Sequence, residues 1–130
     1  CGVSEGRGLG ENARAALITR GLAEMTRLAL ARGGRAETMM GLAGLGDLTL
    51  TCTSPTSRNY AHGLALGRGE PPPSGVVVEG VPTAAALVAL ADRHRVEMPI
   101  AGAVDAVLHR DADIDETIAA LLARPLRPEY

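Results

Sequence analysis

The sequence predicts an all-α fold, a single domain of five to seven helices, and three observations carry that expectation. Alanine and leucine dominate while Phe and Trp are absent, a balance that favours helix over sheet. Several separate stretches place apolar residues at helical spacing between recognisable start and stop signals. No strand–helix–strand unit is evident. At 130 residues the chain has the length of one domain with a workable aliphatic core.

The first strong element lies in "GLGENARAALITRGLAEMTRLALARGG". Asn12 reads as its N-cap and the Gly33-Gly34 pair as its stop. Leu17, Leu22, Met25, Leu28 and Ala29 recur at helical spacing, so wide an apolar share that this helix is expected to be central. Arg20, Glu24 and Arg27 form a polar stripe, within which Arg20 and Glu24 are spaced to pair. A second helix is expected through "AETMMGLAG", broken at the glycines. "LTLTCT" alternates apolar and polar residues and reads as a strand on its period, although no pairing partner is evident.

"RNYAHGLAL", residues 58–66, reads as another short helix, and "GRGEPPPSG" as a loop that three prolines keep out of helix and ladder alike. "VVVEG" is a β-branched run expected to be extended. Pro82 and Pro99 each stand at the first turn of an Ala-rich helix. Asp113 and Glu116 have capping-box spacing for a last helix, and the tail "PLRPEY" is expected to fray.

Several functions are excluded or disfavoured. A net charge of −2 gives no electrostatic footprint for nucleic acid or an anionic membrane surface. No apolar run approaches the roughly 20 residues of a membrane span, and "CGVSEGRG" has no secretory signal pattern. Cys1 and Cys52 make a poor disulfide framework, so a reduced, cytoplasmic setting is expected. The chain starts at Cys1 and contains no lysine, all thirteen basic residues being arginine. It reads as part of something longer, and a mechanism that needs a lysine must import it.

Two glycine-rich stretches imitate nucleotide motifs. "GLGENA", Gly8 to Ala13, fits G-x-G-x-x-A, but that fingerprint works only behind a parallel strand, and the seven preceding residues are not strand-like. A tight loop into a helix is the better account. "GLAGLG" lacks the lysine and Ser/Thr of a phosphate-binding P-loop, and its glycines are expected to serve close backbone approach. The polar residues beside them carry more. Asp47 follows Gly46 in an apolar neighbourhood, and Ser57-Arg58-Asn59 is expected to open a helix. An arginine fork, free backbone amides and flanking Ser and Asn donors together make an anion site, although an isolated Ser-Arg-Asn is more often only an N-cap with a solvated arginine.

Taken in order and spacing, "NARAALITRGLAEMTRLALARGG", "GLAGLGDLTLTCTSPTSRN", "VVVEGVPTA" and "VEMPI" resemble the bacterial-type NAD(P)-dependent sn-glycerol-3-phosphate dehydrogenases. The resemblance covers essentially the whole chain, weakening in "GEPPPSGV" and after "MPI". It implies the C-terminal, helical domain of a two-domain enzyme, with a fold like the C-terminal domain of 6-phosphogluconate dehydrogenase. The N-terminal Rossmann domain that holds NAD or NADP is absent from these residues. It implies further that a catalytic lysine lies a few residues before Cys1, so the 130 residues alone are expected to be inactive.

By the same resemblance Asp47 matches the carboxylate that supports the lysine. Thr51, Ser57, Arg58 and Asn59 match residues lining the pocket for dihydroxyacetone phosphate or sn-glycerol 3-phosphate. Arg58, Val77 and Glu79 match positions near the cofactor. A homodimer is expected to be possible, and no metal is implied. His62, His94 and His109 show no metal-ligand spacing and read as surface or packing residues, and Cys52 as a small buried side chain rather than a nucleophile. The alternative from another class is a free-standing helical dimerisation module with a vestigial phosphate site. Dehydrogenases of phosphate-free hydroxyacids would leave Arg58 and Asn59 without a purpose.

Overall fold

Most of the helix signals in the chain are realised. A computed structural model describes residues 1–125. Among them stand eight α-helices and one π-helical turn, with no strand. In chain order these are α1 (Gly2–Gly6), α2 (Gly10–Ala31), α3 (Ala36–Met39), the π turn (Leu42–Gly46), α4 (Asp47–Thr53), α5 (Arg58–Arg68), α6 (Gly80–Arg93), α7 (Pro99–His109) and α8 (Ile114–Leu122). The expected all-α fold holds. Of the expected frayed tail, 126–130 lie outside the described residues.

Local signals act where they were read. Asp113 Oδ1 accepts the Glu116 amide at 2.8 Å and caps α8. Ser57 Oγ accepts the Tyr60 amide at 3.3 Å and caps α5, and Pro99 opens α7. Gly33 takes a left-handed φ of 81° just past the end of α2. The proline loop runs without helix or strand from Gly69 to Glu79, and of "VVVEG" Glu79 lies in the turn into α6 and Gly80 is its first residue.

Four expectations are corrected. "LTLTCT" is not a strand but most of α4: with no partner strand, the threonine hydroxyls donate back into the helix, Thr51 to the Asp47 carbonyl at 2.9 Å and Thr53 to that of Thr49 at 2.7 Å. Asn12 does not cap α2, which begins two residues earlier at Gly10 with Leu9 in the cap position. Residues 2–6, which carry no helix signal in the sequence, form α1. Arg20 and Glu24 do not pair. Arg20 donates to the Leu121 carbonyl at the end of α8, 3.0 Å away, and Glu24 turns inward.

Glu24 is only 4% exposed and caps another helix. Its Oε1 accepts the Ile100 amide at 2.6 Å and its Oε2 the Ala101 amide at 3.3 Å. Helix α7 has no side-chain cap of its own, so a carboxylate from α2 supplies what its N-terminal amides and dipole require. The core around this contact is Leu28, Ala91, Met98 and Ala101, flanked by Leu87, Val88, Leu90 and Val96. Among the described residues no large side chain is completely buried, which is what a chain rich in alanine and free of Phe and Trp produces.

The most extensive helix pair is α1 on α5, and glycine makes it possible. Gly2 and Gly6 on one helix face Gly63 and Gly67 on the other, each pair one turn apart. A Cβ on Gly2 would strike the Tyr60 carbonyl oxygen and lie 2.8 Å from the Leu64 amide nitrogen. One on Gly67 would strike the Val3 carbonyl oxygen and lie 3.0 Å from the Gly6 Cα. These obstacles are backbone and cannot swing away. Arg7 locks the end of α1, donating to the Gly67 carbonyl at 2.8 Å and pairing with Asp115 on α8 at 3.0 Å. Helix α2 runs past α1, α3, α4, α7 and the π turn, which makes it the central element expected of it.

Two predictions test this packing. Gly67→Ala should cost about 1–3 kcal/mol in chemical denaturation, because the added methyl forces two backbones apart. Gly21→Ala, inside α2 with nothing within 4 Å of its Cβ position, should instead stabilise by about 0.5–1 kcal/mol; equal effects would contradict the account. For Glu24, burial pushes the carboxyl above its ordinary value of 4.5, outweighing the two amide hydrogen bonds and the nearby Arg27 and Arg124 that favour its ionised form. The folded state therefore binds this proton more readily than the unfolded one, and Glu24's contribution falls as pH rises from 4.5 through the raised value. The stability difference between wild type and Glu24→Gln should shrink over that window, and a difference that grows with pH would overturn the assignment.

Candidate functional site

The site is built where the π turn hands the chain to α4. Gly44 packs so tightly on the Met39 backbone that a Cβ there would overlap the Met39 carbonyl oxygen, so "GLAGLG" folds back on α3 rather than cradling a phosphate. Gly46 donates to the Gly41 carbonyl at 3.1 Å, closing the turn. Asp47 is then the first residue of α4, and Thr51 stands one turn later on the same face.

A cavity of about 390 Å3 opens beside them. Its polar lining includes Asp47, Thr51, Asn59 and Ser4, and its apolar lining includes Leu17 of α2, Val104 of α7 and Ile118 of α8. Three of the residues singled out from the sequence thus line one cavity: Asp47, Thr51 and Asn59. Ser57 and Arg58 lie at the start of α5, outside the cavity lining, Ser57 as the cap and Arg58 exposed at its first helical position. Val77 and Glu79 are exposed on the loop leading into α6. It is their neighbours Val78 and Gly80 that line the cavity.

Asn59 is oriented by the fold. Its Oδ1 accepts the Gly80 amide at 3.0 Å, which leaves the Nδ2 hydrogens as its free donors. A Cβ at position 80 would lie 2.7 Å from that oxygen, so the contact requires glycine. Arg58 makes no ion pair among the described residues, and neither does the exposed Asp47. The start of α5 therefore offers an unneutralised guanidinium, an amide donor and the positive end of a helix dipole, which together suit a phosphate-like dianion. In the lining of the same cavity, Asp47 offers a lone carboxylate, which suits an ammonium.

Some of the lining was not foreseen. His62 borders the cavity one turn after Asn59 on α5, and Ser4 on α1 puts a buried hydroxyl there without a hydrogen-bond partner. Neither carries a sequence signal, since each reaches the site only through the α1–α5 packing. Cys52 lines the same cavity half-buried, and burial raises its thiol pKa, which disfavours the thiolate a nucleophile needs. Among the described residues no three His, Cys, Asp or Glu side chains are grouped to hold a metal ion, and no helix is long and apolar enough to cross a membrane.

Known proteins resemble this chain over nearly its whole length. Residues 1–119 match the family described as NAD-dependent glycerol-3-phosphate dehydrogenase C-terminus. A glycerol-3-phosphate dehydrogenase [NAD(P)+] of Maricaulis maris is 59% identical over 99% of this chain, and one of Rhodospirillum rubrum 57% identical over 99%. The chain spans 40% and 38% of the length of these relatives. The crystal structure of a glycerol-3-phosphate dehydrogenase from Coxiella burnetii superimposes with a TM-score of 0.90 at 49% identity, over 95% of this chain and 39% of that one. The chain therefore belongs to the family of C-terminal domains of NAD-dependent glycerol-3-phosphate dehydrogenases.

Proposed function

We propose that this chain is the substrate domain of a cytoplasmic oxidoreductase that interconverts dihydroxyacetone phosphate and sn-glycerol 3-phosphate with NADH or NADPH, feeding glycerophospholipid synthesis. The observation that carries the reading is the opening of α5. There an unpaired Arg58 and the free Nδ2 of Asn59 stand at the N-terminus of an eleven-residue helix, within reach of a cavity that Asp47 also lines. A phosphate monoester matches that donor set in charge and geometry.

Each residue then has a task. Arg58 forks onto two phosphate oxygens, Asn59 donates to a third, and Ser57 holds the helix terminus that faces them. Thr51 spends its proton on the Asp47 carbonyl, so toward the substrate it presents an acceptor for a hydroxyl hydrogen. Asp47 holds an ammonium group in place and keeps it charged. That ammonium belongs to the lysine placed before Cys1, which gives a proton to the alkoxide as the ketone is reduced and takes one back in the reverse direction. Val77 and Glu79, exposed loop residues whose neighbours Val78 and Gly80 line the cavity, meet the nicotinamide half of the cofactor, and Arg58 lies near it. When bound, the cofactor supplies the hydride.

The exposed apolar residues Leu42, Leu50 and Val77, at 90%, 62% and 66% exposure, support a two-domain reading, because large exposed apolar side chains are the kind of surface another domain covers. A chain without the lysine and the dinucleotide domain is inactive by itself. In the natural gene product that carries this domain, Arg58→Ala should lower kcat/KM for dihydroxyacetone phosphate by about 2–5 kcal/mol of transition-state stabilisation. A loss below about tenfold in steady-state kinetics would remove Arg58 from the phosphate. Asp47→Asn should reduce kcat far more than substrate affinity, since it disturbs the charge and aim of the lysine; a change confined to KM would contradict that role.

A further inference from the structure

The loop that carries Val77 and Glu79 is long, exposed and free of regular structure, yet its end is held by two side-chain hydrogen bonds. Residues 69–79 contain three consecutive prolines and no helix or strand, and α6, which follows, has no side-chain cap of its own. Two long-range hydrogen bonds meet at the junction. On one side the Gly80 amide donates to Asn59 Oδ1 from α5 at 3.0 Å. On the other, the Nε2–H of His109, the last residue of α7, donates to the Val81 carbonyl at 2.7 Å across 28 residues of sequence. Gly80 and Val81 both line the cavity shared by Asp47 and Thr51.

We propose that His109 is a positioning residue for the cofactor side of this site, acting through the Val81 carbonyl on the segment that carries Val77 and Glu79. This rests on the function proposed above. The junction is the first turn of α6, which packs on α7 along its length and is held to α5 by Asn59. His109 adds a second side-chain hydrogen bond from another helix, so that α5 and α7 both hold the backbone where the loop enters α6. Because Asn59 also serves the phosphate, His109 is the tether whose loss separates cofactor placement from phosphate binding.

The test uses the natural gene product with two substitutions. His109→Phe keeps the ring volume and removes the donor, whereas His109→Gln retains a donor of similar reach. His109→Phe should raise KM for NADH or NADPH about three- to tenfold, the worth of one net hydrogen bond. Its kcat and its KM for dihydroxyacetone phosphate should stay within about twofold. Amide hydrogen exchange over residues 76–82 should accelerate in the same variant, and His109→Gln should restore both readouts. A folded His109→Phe variant with wild-type cofactor KM and exchange would overturn the proposal, as would a His109→Gln variant as impaired as His109→Phe. Wild-type protein that oxidises neither cofactor on adding dihydroxyacetone phosphate would overturn the proposed function, and this inference with it. An active wild type and an indifferent His109→Phe would overturn this inference alone.

Discussion

The domain depends on the approach of two backbones. Gly2 and Gly6 of α1 lie against Gly63 and Gly67 of α5 with no room for a single methyl at three of those four positions. A chain with no Phe or Trp and a core of alanine, one leucine and one methionine cannot gain much from large side chains. It gains dispersion instead by bringing main chains into contact. The consequence reaches the site directly. Helix α5 carries Ser57, Arg58 and Asn59 at its start, and its seat on α1 sets where they stand. The same contact brings Ser4 and His62 to the cavity and lets Arg7 tie the assembly to α8.

Electrostatics at the site follow from what the fold leaves unpaired. Some acidic and basic side chains find partners, as Arg7 does with Asp115, Arg110 with Asp105, and Glu24 with two backbone amides, while others on the surface, such as Arg68 and Arg93, have none among the described residues. Asp47 and Arg58 likewise have none there. Both are exposed, so neither is costly to leave charged, and each is complementary to a group that this chain does not supply. Asn59 has its oxygen committed to the Gly80 amide, which leaves its nitrogen as the free donor.

The fold was legible from the sequence wherever the cause is local. Asp113 caps three residues downstream, Pro99 opens its own helix, and the Ser57 hydroxyl bonds to the Tyr60 amide. Causes distant in sequence left no trace. Helix α1 is five residues long with two glycines and persists only against α5. Glu24 looks like one member of a solvated stripe until α7 arrives 76 residues later to be capped. "LTLTCT" has the period of a strand, and only the lack of a partner strand and the back-bonding threonines make it a helix. For the site, residue chemistry raised Asp47 and the Ser-Arg-Asn run, and resemblance supplied their roles with those of Thr51, Val77 and Glu79. The convergence of Asp47, Thr51 and Asn59 on one cavity, and the tether from His109, required the folded chain.

The central claim is that the start of α5 recognises a phosphate group on a small ketone. The most direct test compares kcat/KM for dihydroxyacetone phosphate with that for dihydroxyacetone, following NADH or NADPH absorbance with the natural gene product. The account predicts a preference of roughly a hundredfold or more for the phosphorylated ketone, the equivalent of a desolvated arginine–phosphate contact. Turnover of the two ketones within about tenfold of each other would contradict it.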